Sequence, residues 1–388
     1  MIVQKAYKYR FFPTESQKRQ LARTFGCARF VWNQALELRS KTYEETKKAS
    51  SYAQTTNALT QWKKEPEKAF LREVSSVVLQ QSLRNLDAAF QNFFDKRAKY
   101  PRFKSKHDKQ SVRYQTNAFT FRDGKITLAK QNKPLEISWS RSLPDDTVLI
   151  SATVSKDSAG RYYISILVET DIQPLTETDA YVGIDLGIRT LAKCSNDKEL
   201  ENPRPLRKAT KRLRLNQRRL SRKVKGSNNR NKARLKVAEL HARIRDIRTN
   251  NIHQFTTKTI RENQAVYVEG LNVVGMLKNH ALAKHIADAS FAEFFRQLEY
   301  KAKWYGREFI QLDQFFPSSK LCHVCGHLML KLPLSVREWI CPQCDTKHDR
   351  DSNASKTILL AGRYMRATRS DAGKVNAYEI RAVIGHSA

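Results

Sequence analysis

Four cysteines and a small set of acids are the residues of this chain whose types and spacing suit chemistry. Cys322 and Cys325 are two residues apart, Cys341 and Cys344 repeat that spacing, and fifteen residues separate the pairs. Two-residue spacing lets one tight turn present both thiolates to a single tetrahedral ion, and two such turns fill a zinc shell that has no open position. One structural Zn2+ on Cys322, Cys325, Cys341 and Cys344 is therefore expected, with flanking His323 and His327 as the competing ligands. Such a closed centre is a fold element, not a catalyst. The acids call for another account. Asp185 lies inside "GIDLG" in an otherwise apolar run, Glu269 ends the apolar "AVYVE", and "DRDSNAS" opens the final helical pattern. Singly, each is as well explained as a polar strand end or a helix cap. Together they offer oxygen ligands to hard divalent cations, the arrangement that two-metal phosphodiester hydrolysis needs.

The elements that must hold these residues can be read from the periodicity. "VQKAYKYRFF" alternates apolar and cationic residues and predicts a strand with one buried face. After Pro13, Thr14 and Gln17 form a capping pair for a helix, and the chain stays mostly helical to about Phe94. A β-rich block follows, with an Asp123-Gly124 turn and a second hairpin turning at Asp157 to Gly160. The first strand is expected to join that block, which makes the helices an insertion in a small barrel. Beyond Thr176 the pattern becomes α/β: "AYVGIDLG" and "QAVYVEGLNV" read as buried strands, "SFAEFFRQLEYKAKWYG" as an amphipathic helix and "REFIQLD" as a strand. Carboxylates on a first strand, a later strand and a final helix are the set that an RNase H-like fold uses to gather two Mg2+ ions.

Charge narrows the partner. Of the 388 residues 71 are Lys or Arg and 38 are Asp or Glu, a formal net charge of +33 that exceeds what solubility requires. Between Arg204 and Arg248 stand 18 basic residues against Glu239 and Asp246 alone, a pattern of two basic helices joined at "KGSNN". One-signed charge at this density repels itself unless a polyanion covers it. No apolar run reaches the 18 residues of a membrane span, and "MIVQKAYKYRFFP" is too charged and broken for a signal peptide, so a cytoplasmic protein with no membrane partner is expected. In that compartment thiols stay reduced, which favours metal over disulfide for the paired cysteines. Cys27 and Cys194 read as ordinary buried thiols.

The stretches "YVGIDLGIRTLA", "AVYVEGLNVVGM", "PSSKLCHVCG" and "CPQCDTKHDRDSNAS" resemble the three RuvC-like motifs and the inserted zinc finger of TnpB proteins, transposon-encoded relatives of compact type V CRISPR effectors. "KAYKYRFFPTESQKRQLARTFGCARFVWNQAL" and "PRFKSK" resemble the same family, so the likeness runs over nearly the whole chain. The resemblance implies a multidomain α+β protein. Its parts are an RNase H-like (RuvC) nuclease domain at 176–316 and 349–365 with a zinc-finger insertion at 317–348, a β-barrel wedge at 1–12 and 107–175, a helical recognition domain at 13–106, and a tail at 366–388. It implies an RNA-guided DNA endonuclease that binds a transposon-derived guide RNA, reads a short motif beside the target and cuts double-stranded DNA. The family's catalytic triad falls on Asp185, Glu269 and Asp351, holding two Mg2+ ions, with Asp349 a neighbour. Residues that read the target-adjacent motif fall on Tyr52, Gln80, Thr116 and Asn117. A monomer in complex with RNA is expected. Two positions depart from the usual pattern: Gly270 replaces an acid, and Asp345 replaces a glycine after the last zinc cysteine. A nuclease-inactive RNA-guided regulator and a DNA strand-transferring transposase are the alternatives.

Overall fold

The computed structural model describes residues 2–144, 147–368 and 380. The chain divides into two compact units at Asp171 and Ile172. The first unit opens with strand β1 (Ile2–Phe11), whose alternation buries Val3, Tyr7, Tyr9 and Phe11 on one face. Helix α1 (Glu15–Thr46) starts at Thr14, which accepts from the Gln17 N–H while the Gln17 side chain accepts from the Thr14 N–H, so two otherwise orphaned donors are satisfied. Helices α2 (Tyr52–Trp62) and α3 (Ser76–Phe94) follow, and then strands β2 (Gln110–Gln115), β3 (Phe119–Arg122), β4 (Lys125–Leu128), β5 (Ile137–Ser138), β6 (Val148–Lys156) and β7 (Tyr162–Asp171). Five of them form an antiparallel sheet in the order β2-β6-β7-β1-β5. The opening strand pairs with β7 along its whole length, from Ile2 opposite Asp171 to Phe11 opposite Tyr162. β3 and β4 form a separate hairpin whose turn residues Asp123 and Gly124 both have positive φ, at 50° and 69°.

The second unit carries strands β8 (Tyr181–Leu186), β9 (Thr190–Cys194) and β10 (Glu199–Glu201), helices α4 (Pro205–Ser221) and α5 (Asn228–Glu262), and strand β11 (Ala265–Val268). Helices α6 (Val273–Met276), α7 (Ala283–Ala289) and α8 (Phe291–Tyr305), strands β12 (Glu308–Gln311), β13 (Glu338–Ile340) and β14 (Lys347–Asp349), and helix α9 (Arg350–Thr368) complete it. Its five-stranded sheet runs β10-β9-β8-β11-β12, with β8, β11 and β12 parallel and β9 and β10 antiparallel. Every residue of β11 is buried, as expected of a parallel strand covered on both faces. Val182, Ile184, Val266 and Val268 face Ile252 and Ile260 of α5 and Phe294 and Leu298 of α8; Ala265 and Tyr267 face Ile358, Ala361 and Met365 of α9.

Two details differ from the pattern in the sequence. The basic run stops near Arg248, yet α5 continues to Glu262, because its last third buries Ile252, Thr256, Thr259 and Ile260 beneath the sheet. Charge density marks only the exposed part of that helix. At the other end α9 runs to Thr368, three residues past the expected boundary at 365; of the tail at 366–388, residues 369–379 and 381–388 lie outside the described residues. Among the described residues no helix is long and apolar enough to cross a membrane.

Candidate active site and metal centre

Strand register brings the first two acids together. Val268 pairs with Ile184 in the parallel β8–β11 ladder, so Glu269, the next residue, emerges beside Asp185 at the C-terminal ends of adjacent strands. Ligands of open α/β sheets bind outside such ends. Asp185 and Glu269 share a hydrogen bond, and the Leu186 N–H donates to Glu269. Burial pushes Asp185 well above the usual carboxylate range, helped by the nearby charges of Glu269 and Asp351. Burial likewise raises Glu269 to about 7. Without a cation, therefore, this pair retains a proton near neutral pH.

The third carboxylate comes from α9, and the two aspartates of "DRD" have separate jobs. Asp349 Oδ1 accepts from the Ser352 N–H at 2.8 Å, which is the bond of a helix N-cap, and Asp349 is otherwise exposed. Asp351, in the first turn, lies close enough to raise the pKa of both Asp185 and Glu269. Two arginines border the cluster. Arg350 is buried, with its guanidinium on the Pro333 carbonyl (2.8 Å) and Ser319 Oγ (3.3 Å), and it partly offsets the rise at Asp185. Arg337 lies 3.5 Å from Asp351, both partly exposed, a pair weakened by solvent.

What brings α9 this close is an absence of side chains. A Cβ at Gly183, two residues before Asp185, would lie 2.5 Å from the Leu359 nitrogen and closer still to the Ser355 carbonyl. A Cβ at Gly362 would enter the Tyr267 ring. At Gly270 a Cβ would collide with the Leu312 carbonyl and approach Gln314 N at 2.9 Å, so the acid usual there in the resembling family does not fit this backbone.

The cysteines form one group. The Sγ atoms of Cys322, Cys325, Cys341 and Cys344 all lie within 4.8 Å of one another, and among the described residues they are the one set of three or more such ligands drawn so close. Four free thiols in two matching turns fit a tetrahedral Zn2+. Each turn closes the same way: Gly326 N–H bonds Cys322 O at 3.0 Å, and Asp345 N–H bonds Cys341 O at 2.9 Å. Both residues take the left-handed conformation, at φ 72° and 54°. The Thr346 hydroxyl and Cys344 Sγ lie 3.2 Å apart, and hydrogen bonds from the Thr346 side chain and backbone hold that thiol down at about 6.

The remaining expected residues belong to the first unit. Gln80, Thr116 and Asn117 are exposed, and Tyr52 accepts from Arg84 Nε at 3.3 Å. Gln115 donates to Gln81 at 2.9 Å, which links the end of β2, just before Thr116, to α3 just after Gln80. Sequence reasoning missed Arg84 and Gln81, and at the other site Arg337, His348 and Asn353; none carries a spacing signal, since each acts through a fold contact.

Three family models match the chain. One, OrfB_IS605, described as "Probable transposase", covers residues 163–280; a Cas12f1-like TNB domain covers 291–358; and a helix-turn-helix domain of OrfB_IS605 covers 1–48, a stretch that folds here as β1 and the single long α1. A protein of Streptomyces pristinaespiralis named "Putative RNA-guided DNA endonuclease" is 52% identical over 361 residues, 93% of this chain and 90% of the relative. "Putative RNA-guided DNA endonuclease InsQ" of Escherichia coli K12 is 32% identical over 379 residues, 92% of each chain. The fold is similar to that of the protein in the cryo-EM structure of a Cas12f1-sgRNA-target DNA complex, with TM-score 0.57 and 14% identity over 92% of this chain and 99% of that one.

Proposed function

The chain belongs to the TnpB family of RNA-guided DNA endonucleases, and on that premise we propose that it cuts DNA with a magnesium-dependent RuvC-like centre built from Asp185, Glu269 and Asp351. One observation carries the assignment of residues: Asp185 and Glu269 stand side by side at parallel strand ends, with Asp351 near enough to raise both. Divalent cations relieve the repulsion among three neighbouring carboxylates, two of them with raised pKa values, and carboxylate oxygens suit Mg2+. Two Mg2+ ions held there would supply Lewis acidity at the scissile phosphate. The protein's own part is to hold three carboxylates close together, two at the ends of adjacent inner strands and one on a helix turn packed against them. The RuvC-like domain is assigned to 176–316 and 349–365 and the zinc finger to 317–348, with one Zn2+ as its structural core. The sheet of the first unit, at 1–12 and 107–175, serves as the wedge, and the helices of 13–106 as the recognition domain.

Guide RNA and double-stranded target DNA are the partners of this reading, with a monomer bound to one RNA in a prokaryotic cytoplasm. Base pairing would supply sequence recognition, while lysines and arginines grip the backbone, as on α4, where Pro205 and Leu213 are the buried residues. Tyr52, Gln80, Thr116 and Asn117 would read the motif beside the target. The test is to sequence RNA that copurifies with the protein and offer, with Mg2+, a plasmid matching its guide and carrying randomised flanking bases. Cutting confined to matched plasmid with a selected flank supports the reading. Cutting that survives removal of the RNA, or joining of DNA ends, would favour a strand-transferring transposase, and binding with no cutting would favour a regulator.

A further inference from the structure

Cys322 is held from two directions, and both lead to the chain around Asp351. His348, 3% exposed, brings Nε2 to 3.1 Å from Cys322 Sγ. Asn353, 1% exposed, donates from Nδ2 to the Leu321 carbonyl at 2.8 Å and accepts at Oδ1 from the His323 backbone N–H at 3.1 Å. The His323 ring nitrogen Nδ1 lies 2.9 Å from the same oxygen. Thr357, also buried, donates to the Leu321 carbonyl at 3.1 Å. Both ends of the Asn353 amide are thus engaged by the peptide groups on either side of Cys322.

Geometry makes this more than a buried anchor. Asp351 and Asn353 are two residues apart on α9, hence about 200° apart around the helix. One faces the carboxylate cluster and the other the cysteine turn, so the first turn of α9 is wedged between them. A hydrogen-bonded helix turn moves as a unit, and a shift of the cysteine turn passes to the Asp351 carboxylate with little loss. Magnesium is sensitive to such a shift, because it demands near-ideal octahedral geometry at about 2 Å.

We propose that Asn353 is a positioning residue that couples occupancy of the four-cysteine zinc centre to divalent-cation binding at Asp351. This rests on the reading of Asp351 as a magnesium ligand. The coupling is reciprocal, since each ion must favour the other's binding by the same factor. Zinc orders the Leu321–His323 turn, Asn353 fixes the first turn of α9 against it, and Asp351 is presented in one position.

The experiment measures zinc affinity of the full chain with its bound RNA, by competition with a zinc-selective chromophoric chelator, with and without Mg2+. In the native protein Mg2+ raises zinc affinity by about fivefold or more. Asn353→Ala abolishes that rise, and in cleavage assays it increases the half-saturating Mg2+ concentration more than it lowers the maximal rate. Thr357→Val removes one of the two side-chain bonds to the Leu321 carbonyl and gives a smaller loss; it carries the test if Asn353→Ala does not fold. An equal Mg2+ effect in native and Asn353→Ala protein overturns the proposal while leaving the nuclease site intact, provided Asp351→Ala abolishes the effect. If the effect persists in Asp351→Ala, the assignment of Asp351 itself fails, and the coupling with it.

Discussion

Gly183 of β8 lies directly beneath Ser355 of α9, with the Leu359 nitrogen 2.5 Å from where a Cβ would stand. The contact is two residues from Asp185 on one side and four from Asp351 on the other, so it sets the gap that the carboxylates must span. Gly183→Ala should destabilise the protein by about 1–3 kcal/mol through overpacking and lower cleavage further than that loss alone explains. Gly26→Ala is the control: nothing lies within 4 Å of its Cβ, and in mid-helix the change should stabilise by about 0.5–1 kcal/mol. Denaturant unfolding of both variants checks the signs, and a stable, fully active Gly183→Ala would contradict the close approach.

Asp345 takes φ 54° at the place where the matching turn has Gly326. A non-glycine residue pays about 1 kcal/mol or more for this conformation. Asp345→Gly should therefore raise thermal stability and slow zinc loss to a chelator without changing the four ligands. Faster zinc loss in the variant would mean that the aspartate contributes an interaction outweighing its strain.

Acidity links the carboxylate pair to pH. Burial raises Glu269 to about 7 and Asp185 well above the carboxylate range, so the metal-free folded protein holds more protons than the unfolded chain. Stability from this pair is complete below the unfolded pKa values near 4 and is lost as pH rises through the folded values. Magnesium needs the deprotonated pair, so the rise in Tm on adding Mg2+ should grow from about pH 6 to about pH 8. In Glu269→Gln that growth should largely vanish. An Mg2+-induced rise of equal size at both pH values would show that no carboxylate is titrating at the cation site.

How much of this was legible beforehand depended on whether the signal was local. The cysteine spacing identified one tetrahedral group, and a charge ending an apolar strand drew attention to Asp185 and Glu269, since both signals live in a few consecutive residues. Which aspartate of "DRD" faces the cluster was implied only by resemblance; the Asp349 cap to Ser352 supplies a physical account of the division. Asn353 and Gly183 were illegible, because a buried amide and a missing side chain matter only once α9 is laid across β8 and the cysteine turn. The reach of α5 beyond the basic run was illegible for the same reason, its final third being held by the sheet and not by charge.

The division of labour in "DRD" offers the most direct test of the catalytic centre. Guided cleavage of a matched plasmid in Mg2+ should be measured for Asp351→Asn and Asp349→Asn side by side. Loss of a metal-binding carboxylate should remove cleavage by about a hundredfold or more, whereas asparagine is as good an N-cap as aspartate and should leave the rate within a few-fold. Robust cutting by Asp351→Asn, or its loss in Asp349→Asn alone, would contradict a centre made from Asp185, Glu269 and Asp351.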